Sequence, residues 1–271
     1  MYKDRRQPRP VEIKSKKELD LMRSAGKIVG EILRALQEHA QPGVSTAELE
    51  RRARAILEKY GATSPFLNYP NAIQNGPRFP GWICTSLNEE IVHGIPRSKR
   101  ILREGDLLKL DVGARYGGYI GDSAWTFAIG EVSEQARRLM TVSEQALHKG
   151  LERVQAGNRL WDVIRAIQTH VESNGFNVVR EYQGHGVGRE MHEEPSIPNF
   201  LDEDLNQRPT NLQLKPGMTF AIEPMVVTGK WDTQVLNDKW TVITKDHGLA
   251  AHYEHTVLVT ENGPEILTQW K

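Results

Sequence analysis

Asp111 and Asp122 stand among apolar, strand-forming residues: Leu108, Leu110 and Val112 around the first, Ala124 and Trp125 after the second. An unpaired carboxylate is costly in such surroundings. If Tyr116 and Gly117 centre a hairpin turn, the two aspartates face each other across a strand pair. Their Cβ atoms would then lie ~5 Å apart, where like charges repel. A bound cation removes both penalties; the alternatives are a solvent-facing Asp or a pairing with Arg115. Glu223 interrupts the apolar run from Met218 to Val227, and Glu254 sits beside Thr256–Val259, so each poses the same problem. His185 lies in Gly184-His-Gly-Val-Gly188, where glycines let backbone and imidazole approach a ligand closely. That run lacks the strand–helix setting and the Lys-Ser/Thr pair of a phosphate cradle. Four carboxylates and one imidazole suit two hard or borderline divalent ions better than one. In two-metal hydrolases the ions sit ~4 Å apart and activate a bridging water.

Two further histidines stand in distinctive runs, His93 in Ile91-Val-His-Gly-Ile-Pro96 and His192 in Met191-His-Glu-Glu-Pro195. Lone histidines are more often structural or exposed than catalytic. His192 does not open a His-Glu-x-x-His zinc motif, because no second His follows at the required spacing. Cys84 and His93 have the residue types of a thiol nucleophile and base, and nothing else in the chain supports that chemistry.

The elements that must hold these residues follow from periodicity and end signals. Ser15 with Glu18 reads as a capping box, and Met22, Ala25, Val29, Ile32 and Leu36 follow at helical spacing until Pro42-Gly43. Ser45 with Glu48 opens a second helix, carried by Leu49, Ala53, Ile56 and Tyr60 and ended by Gly61. The segment from Thr63 to Pro80 reads as loop, and Ile101 to Ile129 as strands around Arg115-Tyr-Gly-Gly118. The order then recurs. Ser133 caps a helix as Ser15 does, and Gly157 and Gly175 bracket a helical segment as Gly43 and Gly61 do. Arg103-Glu-Gly105 precedes Leu110-Asp111 as Lys215-Pro-Gly217 precedes Ile222-Glu223. The offsets of 118, 114 and 112 keep the order with small deletions. One domain of two related α/β halves is expected, with chance similarity of short patterns as the alternative. A seam between such halves is where a ligand site belongs.

These motifs resemble the methionine aminopeptidases. The Asp111/Asp122 pair, His185, Glu223-Pro224 and Tyr253-Glu-His-Thr256 are similar to that family's five-ligand set. Asn88–Pro96 and Gly184–Pro195 are close to its signatures, and the resemblance covers about residues 12–268. It implies the pita-bread fold: α/β (α+β), two pseudosymmetric halves with antiparallel strands cradling a dinuclear metal site. Only 31 positions separate His192 from Glu223, without the long helical insertion of type 2 members, so the likeness is to type 1. Carried over, Asp111 chelates one ion, Asp122 and Glu254 bridge both, and His185 and Glu223 complete the other. His93 and His192 match substrate-contacting histidines, and Tyr69, Cys84 and Trp240 match the pocket for the Met side chain. The implied reaction removes initiator Met from nascent chains when the second residue is small, by a metal-activated bridging water. Glu223 serves as general base and then acid, and His192 meets the developing charge on the carbonyl oxygen. The implied cofactors are two divalent ions per chain (Co, Mn, Fe or Zn). The chain departs from the family pattern between Tyr69 and Cys84, where it is longer and holds Gly76-Pro-Arg-Phe-Pro80. Met191 also stands where an aromatic is frequent.

Charge and composition bound the partners. Thirty-five basic and 35 acidic residues argue against whole-chain binding of DNA or another polyanion. One cysteine excludes a disulfide framework and Cys-based structural zinc. No apolar segment reads as a secretory signal or a membrane span; a cytoplasmic protein is what the resemblance implies, and a monomer is expected. Met1 to Lys17 carries seven basic and two acidic residues. Residues 1–12 are expected as a flexible basic arm ahead of a single catalytic domain over 13–271. The arm is either solvated or in transient contact with an anionic surface such as ribosomal RNA. Two rivals have definite signatures. An Xaa-Pro peptidase of the same fold usually carries an added N-terminal domain, for which ~15 residues leave no room. A metal-free binding protein of this fold typically loses ligands, and all five are present.

Overall fold

The structure, a computed structural model, describes residues 10–202, 204 and 210–271. Residues 1–9 of the expected arm lie outside the described residues. Helix α1 (Lys16–His39) buries Met22, Ala25, Val29, Ile32 and Leu36, the stripe its spacing demands. Its first turn is closed by Glu18, whose carboxylate accepts the Ser15 backbone N–H at 2.8 Å. Helix α2 (Thr46–Lys59) begins with Ser45 Oγ accepting the Glu48 N–H at 3.2 Å. Glu48 does not reach back; its carboxylate meets His39 Nε2 at 2.9 Å instead, so the second capping box is half formed. The buried face is Leu49, Ala53 and Leu57, while Tyr60 is exposed.

Strands β1 (Cys84–Leu87), β2 (Glu90–Val92), β3 (Leu107–Tyr116) and β4 (Tyr119–Ala128) complete the first half. Helices α3 (Glu134–Leu151) and α4 (Leu160–Ser173) open the second. Strands β5 (Asn177–Val178), β6 (Gln183–Gly186), β7 (Glu193–Pro198), β8 (Thr219–Ile222) and β9 (Met225–Val227) follow. The chain ends with β10 (Thr233–Val235), β11 (Val242–Thr244), β12 (Ala250–His252), β13 (His255–Thr260) and β14 (Gly263–Ile266). Among the described residues all strand pairing is antiparallel, in a five-stranded sheet ordered β14-β13-β8-β6-β7 and three-stranded sheets β1-β3-β4, β10-β11-β2 and β12-β9-β5. No helix among the described residues is long and apolar enough to cross a membrane.

The β3–β4 register corrects one expectation. Asp111 lies opposite Ala124 and Asp122 opposite Gly113, because the turn is centred on Gly117-Gly118 and not on Tyr116-Gly117. Both glycines take positive φ, 56° and 85°, as a two-residue hairpin turn requires, and a tyrosine there would be strained. The aspartates are therefore diagonal neighbours on one face, a relation that typically separates positions by ~7–8 Å and Cβ atoms by somewhat less.

The repeat is visible bond by bond. Gly43 N–H donates to Leu102 O at 2.9 Å and Gly157 N–H to Leu214 O at 3.0 Å; Gly105 and Gly217 share φ of 89°. Leu107 pairs with Ala128 as Thr219 pairs with Leu258. The second hairpin breaks at Glu223-Pro224 and resumes in the same register, Met225 opposite His252. Aligning the hairpins by register sets Asp111 on Glu223, Ala124 on Glu254 and Asp122 on His252.

Candidate metal centre and substrate pocket

Donor atoms of Asp122, His185 and Glu254 all lie within 4.8 Å of one another, and all three side chains are buried. They reach one point from β4, β6 and the break between β12 and β13. Each is fixed by its backbone. Asp122 gives its N–H to Thr256 Oγ1 and takes that hydroxyl on its carbonyl, at 3.0 and 2.8 Å. Glu254 donates its N–H to Ala124 O at 2.8 Å and accepts Ser123 Oγ–H on its carbonyl at 2.5 Å. His185 Nδ1 lies 2.9 Å from Gly186 O. That contact is a hydrogen bond only if Nδ1 carries the hydrogen, which leaves Nε2 as a free lone pair facing the carboxylates. Nε2 stands 3.5 Å from Glu223 Oε1 and 3.8 Å from Asp122 Oδ2. Asp111 completes the group from β3, opposite Cys84, whose thiol it hydrogen-bonds.

Electrostatically the cluster is unbalanced. Burial raises the Asp111 carboxyl to about 7, and the Coulombic effect of Glu223 also raises it. Burial first, then repulsion from neighbouring carboxylates (Asp111 and Glu223 on Asp122; Asp122, Glu223 and Asp111 on Glu254), pushes both well above the usual range, and burial does the same to Glu223. Burial pushes His185 the other way, well below its ordinary value. Asp111 Oδ1, Asp122 Oδ1 and Glu254 Oε1 are buried and have no hydrogen-bond partner among the described residues. Orphaned carboxylate oxygens at this density fit divalent cations, which satisfy lone pairs and cancel repulsion together.

A second group forms the wall beside these carboxylates. Tyr69, Cys84 and Trp240, expected in a side-chain pocket, share one apolar cluster with Phe66, Phe79, Ile95 and Met191. The long segment after Tyr69 folds back on itself: Phe79 N–H donates to Tyr69 O at 3.0 Å and Asn68 N–H to Phe79 O at 2.8 Å. Phe79 thereby packs edge-on against Trp240, with ring centroids 5.2 Å apart, and Trp240 Nε1–H donates to Pro77 O at 2.8 Å. His93 follows β2 with a φ of 60° and stands edge-on to Tyr182 and Trp240. Desolvation, with smaller effects from His192 and His252, lowers its pKa to about 4. His192 lies at the exposed rim, its ring centroid 4.3 Å from that of His185. Its Nδ1 meets Tyr69 Oη at 2.5 Å. With the phenol protonated, Tyr69 donates and the ring hydrogen is left on Nε2.

The ten sequence-derived site residues fall into these two neighbouring groups, joined where Asp111 pairs with Cys84 and where His192 lies against both His185 and Tyr69. Phe79, Tyr182 and His252 stand against members of these groups and were not singled out from the sequence. His252 had one available signal, its place two residues before Glu254; Phe79 and Tyr182 had none, because only folding brings their segments here.

A model of metallopeptidase family M24 matches residues 20–261. The chain is 49% identical over 257 residues to a methionine aminopeptidase of Clostridium acetobutylicum, covering 94% of this chain and 98% of that one. It is 46% identical to methionine aminopeptidase 1 of Bacillus subtilis, again over 94% and 98%. The crystal structure of methionine aminopeptidase from Thermotoga maritima superposes with a TM-score of 0.89 at 42% identity, covering 96% of this chain and all of that one.

Proposed function

The chain belongs to metallopeptidase family M24, among its methionine aminopeptidases, and from that premise we propose how its own residues perform the reaction. It removes N-terminal methionine by metal-dependent hydrolysis in a pita-bread fold. Asp111, Asp122, His185, Glu223 and Glu254 hold two divalent ions, of Co, Mn, Fe or Zn. The observation carrying this reading is the set of buried, partnerless carboxylate oxygens converging with His185. Ions held there would polarise the scissile carbonyl and lower the pKa of a bound water from ~16 toward ~7.

The remaining work falls to side chains. Glu223 accepts the proton of the attacking water and returns it to the leaving amine, its two oxygens held between the His185 and His252 rings. His192 presents Nε2–H to the carbonyl oxygen as charge develops, oriented by the Tyr69 hydroxyl at Nδ1. His93 stays neutral and contacts the peptide nitrogen. The Met side chain enters the apolar wall of Tyr69, Cys84 and Trp240, closed by Phe79. The second substrate residue must be small, since it lies over the crowded region beside His192. Nascent polypeptides are the substrates, which places the enzyme in the cytoplasm. Residues 13–271 act as one catalytic domain, with residues 1–12 as a basic arm that contacts the ribosome transiently.

An assay on Met-Gly-Met-Met and an Ala-initiated control, with stripped protein titrated by each metal, tests the reading. Metal-dependent release of Met alone is expected. Preference for Xaa-Pro peptides regardless of the first residue would overturn it.

A further inference from the structure

His252 is 2% exposed, and neither ring nitrogen has a hydrogen-bond partner among the described residues. In either neutral tautomer one of those nitrogens carries a hydrogen, and a buried unsatisfied donor is unfavourable. The ring's place is not an accident of loop packing. His252 gives its N–H to Thr126 Oγ1 at 2.9 Å and accepts that hydroxyl on its carbonyl at 2.8 Å. Asp122 makes the same two bonds with Thr256. Register alignment sets Asp122 on His252 and Thr126 on Thr256, so the two stitches are pseudosymmetric copies of one another. One copy carries a proposed bridging ligand. The other carries an imidazole whose Nε2 lies 3.4 Å from Glu223 Oε2, while His185 Nε2 stands 3.5 Å from Glu223 Oε1. Glu223 is thus bracketed by two rings, one on each oxygen.

We infer that His252 is a positioning residue of the metal centre, its ring N–H directed at Glu223 Oε2 so that the other carboxylate oxygen is turned toward the ligand cluster. Groups that hydrogen-bond a metal ligand fix its orientation, and losing one typically weakens metal binding by ~10- to 100-fold. The inference rests on the five-ligand reading above. It does not make His252 a ligand, and the distinction is measurable, because a glutamine amide can replace the donor but is a poor substitute for a ligating imidazole.

The test is metal affinity by calorimetry, with the Co(II) absorption spectrum of the loaded protein, for wild type, His252→Ala, His252→Phe and His252→Gln. The Phe variant restores the volume without the donor. Expected are ~10- to 100-fold weaker binding for Ala and Phe, recovery in Gln, and a Co(II) spectrum in Gln that keeps the wild-type band pattern. Wild-type affinity in the Ala or Phe variant would overturn the inference. Failure of Gln to rescue, or loss of the wild-type spectrum in Gln, would overturn it equally. Asp122→Asn serves as the separate control: unchanged binding there would defeat the ligand reading itself, whatever His252 does.

Discussion

A carboxylate buried between apolar strands stays ionised only when something positive meets it, and Asp122 is the sharpest case here, with 2% exposure and an orphaned Oδ1. Asp122→Asn should abolish Met release and weaken binding of both ions, measured by metal analysis after dialysis. A fully active variant with full metal content would defeat the assignment. The pocket makes its own prediction. The proposed pocket of Tyr69, Cys84, Phe79 and Trp240 is apolar and would select by shape, so norleucine, with a methylene in place of the sulfur, should be cleaved in place of Met. Leucine should fall by ~10- to 200-fold, the usual worth of one misplaced methylene. Equal kcat/KM on Met- and Leu-initiated versions of one tetrapeptide would rule out the proposed pocket. His93 carries a pH signature. Unfolded, it takes a proton near its ordinary 6.5; folded, desolvation holds it unprotonated until about 4. Its contribution to stability is therefore whole above pH 6.5 and lost as pH falls from 6.5 toward 4. Melting curves across that window should drop less steeply for His93→Asn than for wild type; parallel curves would refute the perturbed value.

Elements enter through the tightness with which they hold these residues. His93 is aimed by a short connection between β2 and the following Gly94, which lies against β1. Thr85 N–H donates to Gly94 O at 2.7 Å, and Gly94 N–H donates to Ser86 Oγ at 3.0 Å. A Cβ at Gly94 would stand 2.2 Å from the Thr85 carbonyl oxygen, a contact backbone must yield to. Gly94→Ala should cost ~1–3 kcal/mol, the range for overpacking a filled site. It should also lower activity at saturating metal, because relief of the clash displaces His93. Denaturant unfolding and kcat on the same preparation check both; wild-type activity at reduced stability would separate the glycine from the histidine. Glycines 26 and 121 show the same logic between α1 and β4, where a Cβ on Gly121 would meet Gly26 N at 2.7 Å.

At the scale of the whole molecule, the proposed centre would join two halves that share no covalent link other than the chain between β4 and α3. Ions bound only by the folded state add RT ln(1 + [L]/Kd), about 2.7 kcal/mol at a hundredfold excess over Kd. Chelation should therefore lower Tm, and an unchanged melt for demonstrably stripped protein would count against a centre that spans the halves. The basic N-terminal segment tests a different surface. Deleting Met1–Pro10 removes four basic residues and leaves α1 intact, so short peptides should be cleaved at the wild-type rate. Ribosome co-sedimentation should weaken, and do so with salt, since exposed charges are screened within ~8 Å at physiological ionic strength. Equal co-sedimentation of both forms would leave the segment as a solvated arm.

Sequence alone determined what depends on short range. Helical spacing and capping residues located α1 to α4, because a turn of helix is written within four residues. The misplaced carboxylates in apolar strands announced a cation, since their cost arises wherever those strands are buried. The repeat of glycines and helices announced two halves. Tertiary structure decided what depends on pairing. Moving the turn centre by one residue, to Gly117-Gly118, changed Asp111 and Asp122 from facing to diagonal, because only positive φ at both positions closes that hairpin. The fold-back of the segment after Tyr69 brought Phe79 onto Trp240 across 161 positions of chain, a meeting no local pattern encodes. His252 acquired its place beside Glu223 in the same way: the register that resumes after the break at Pro224 is a property of the closed sheet, and it exists only once the strands have met.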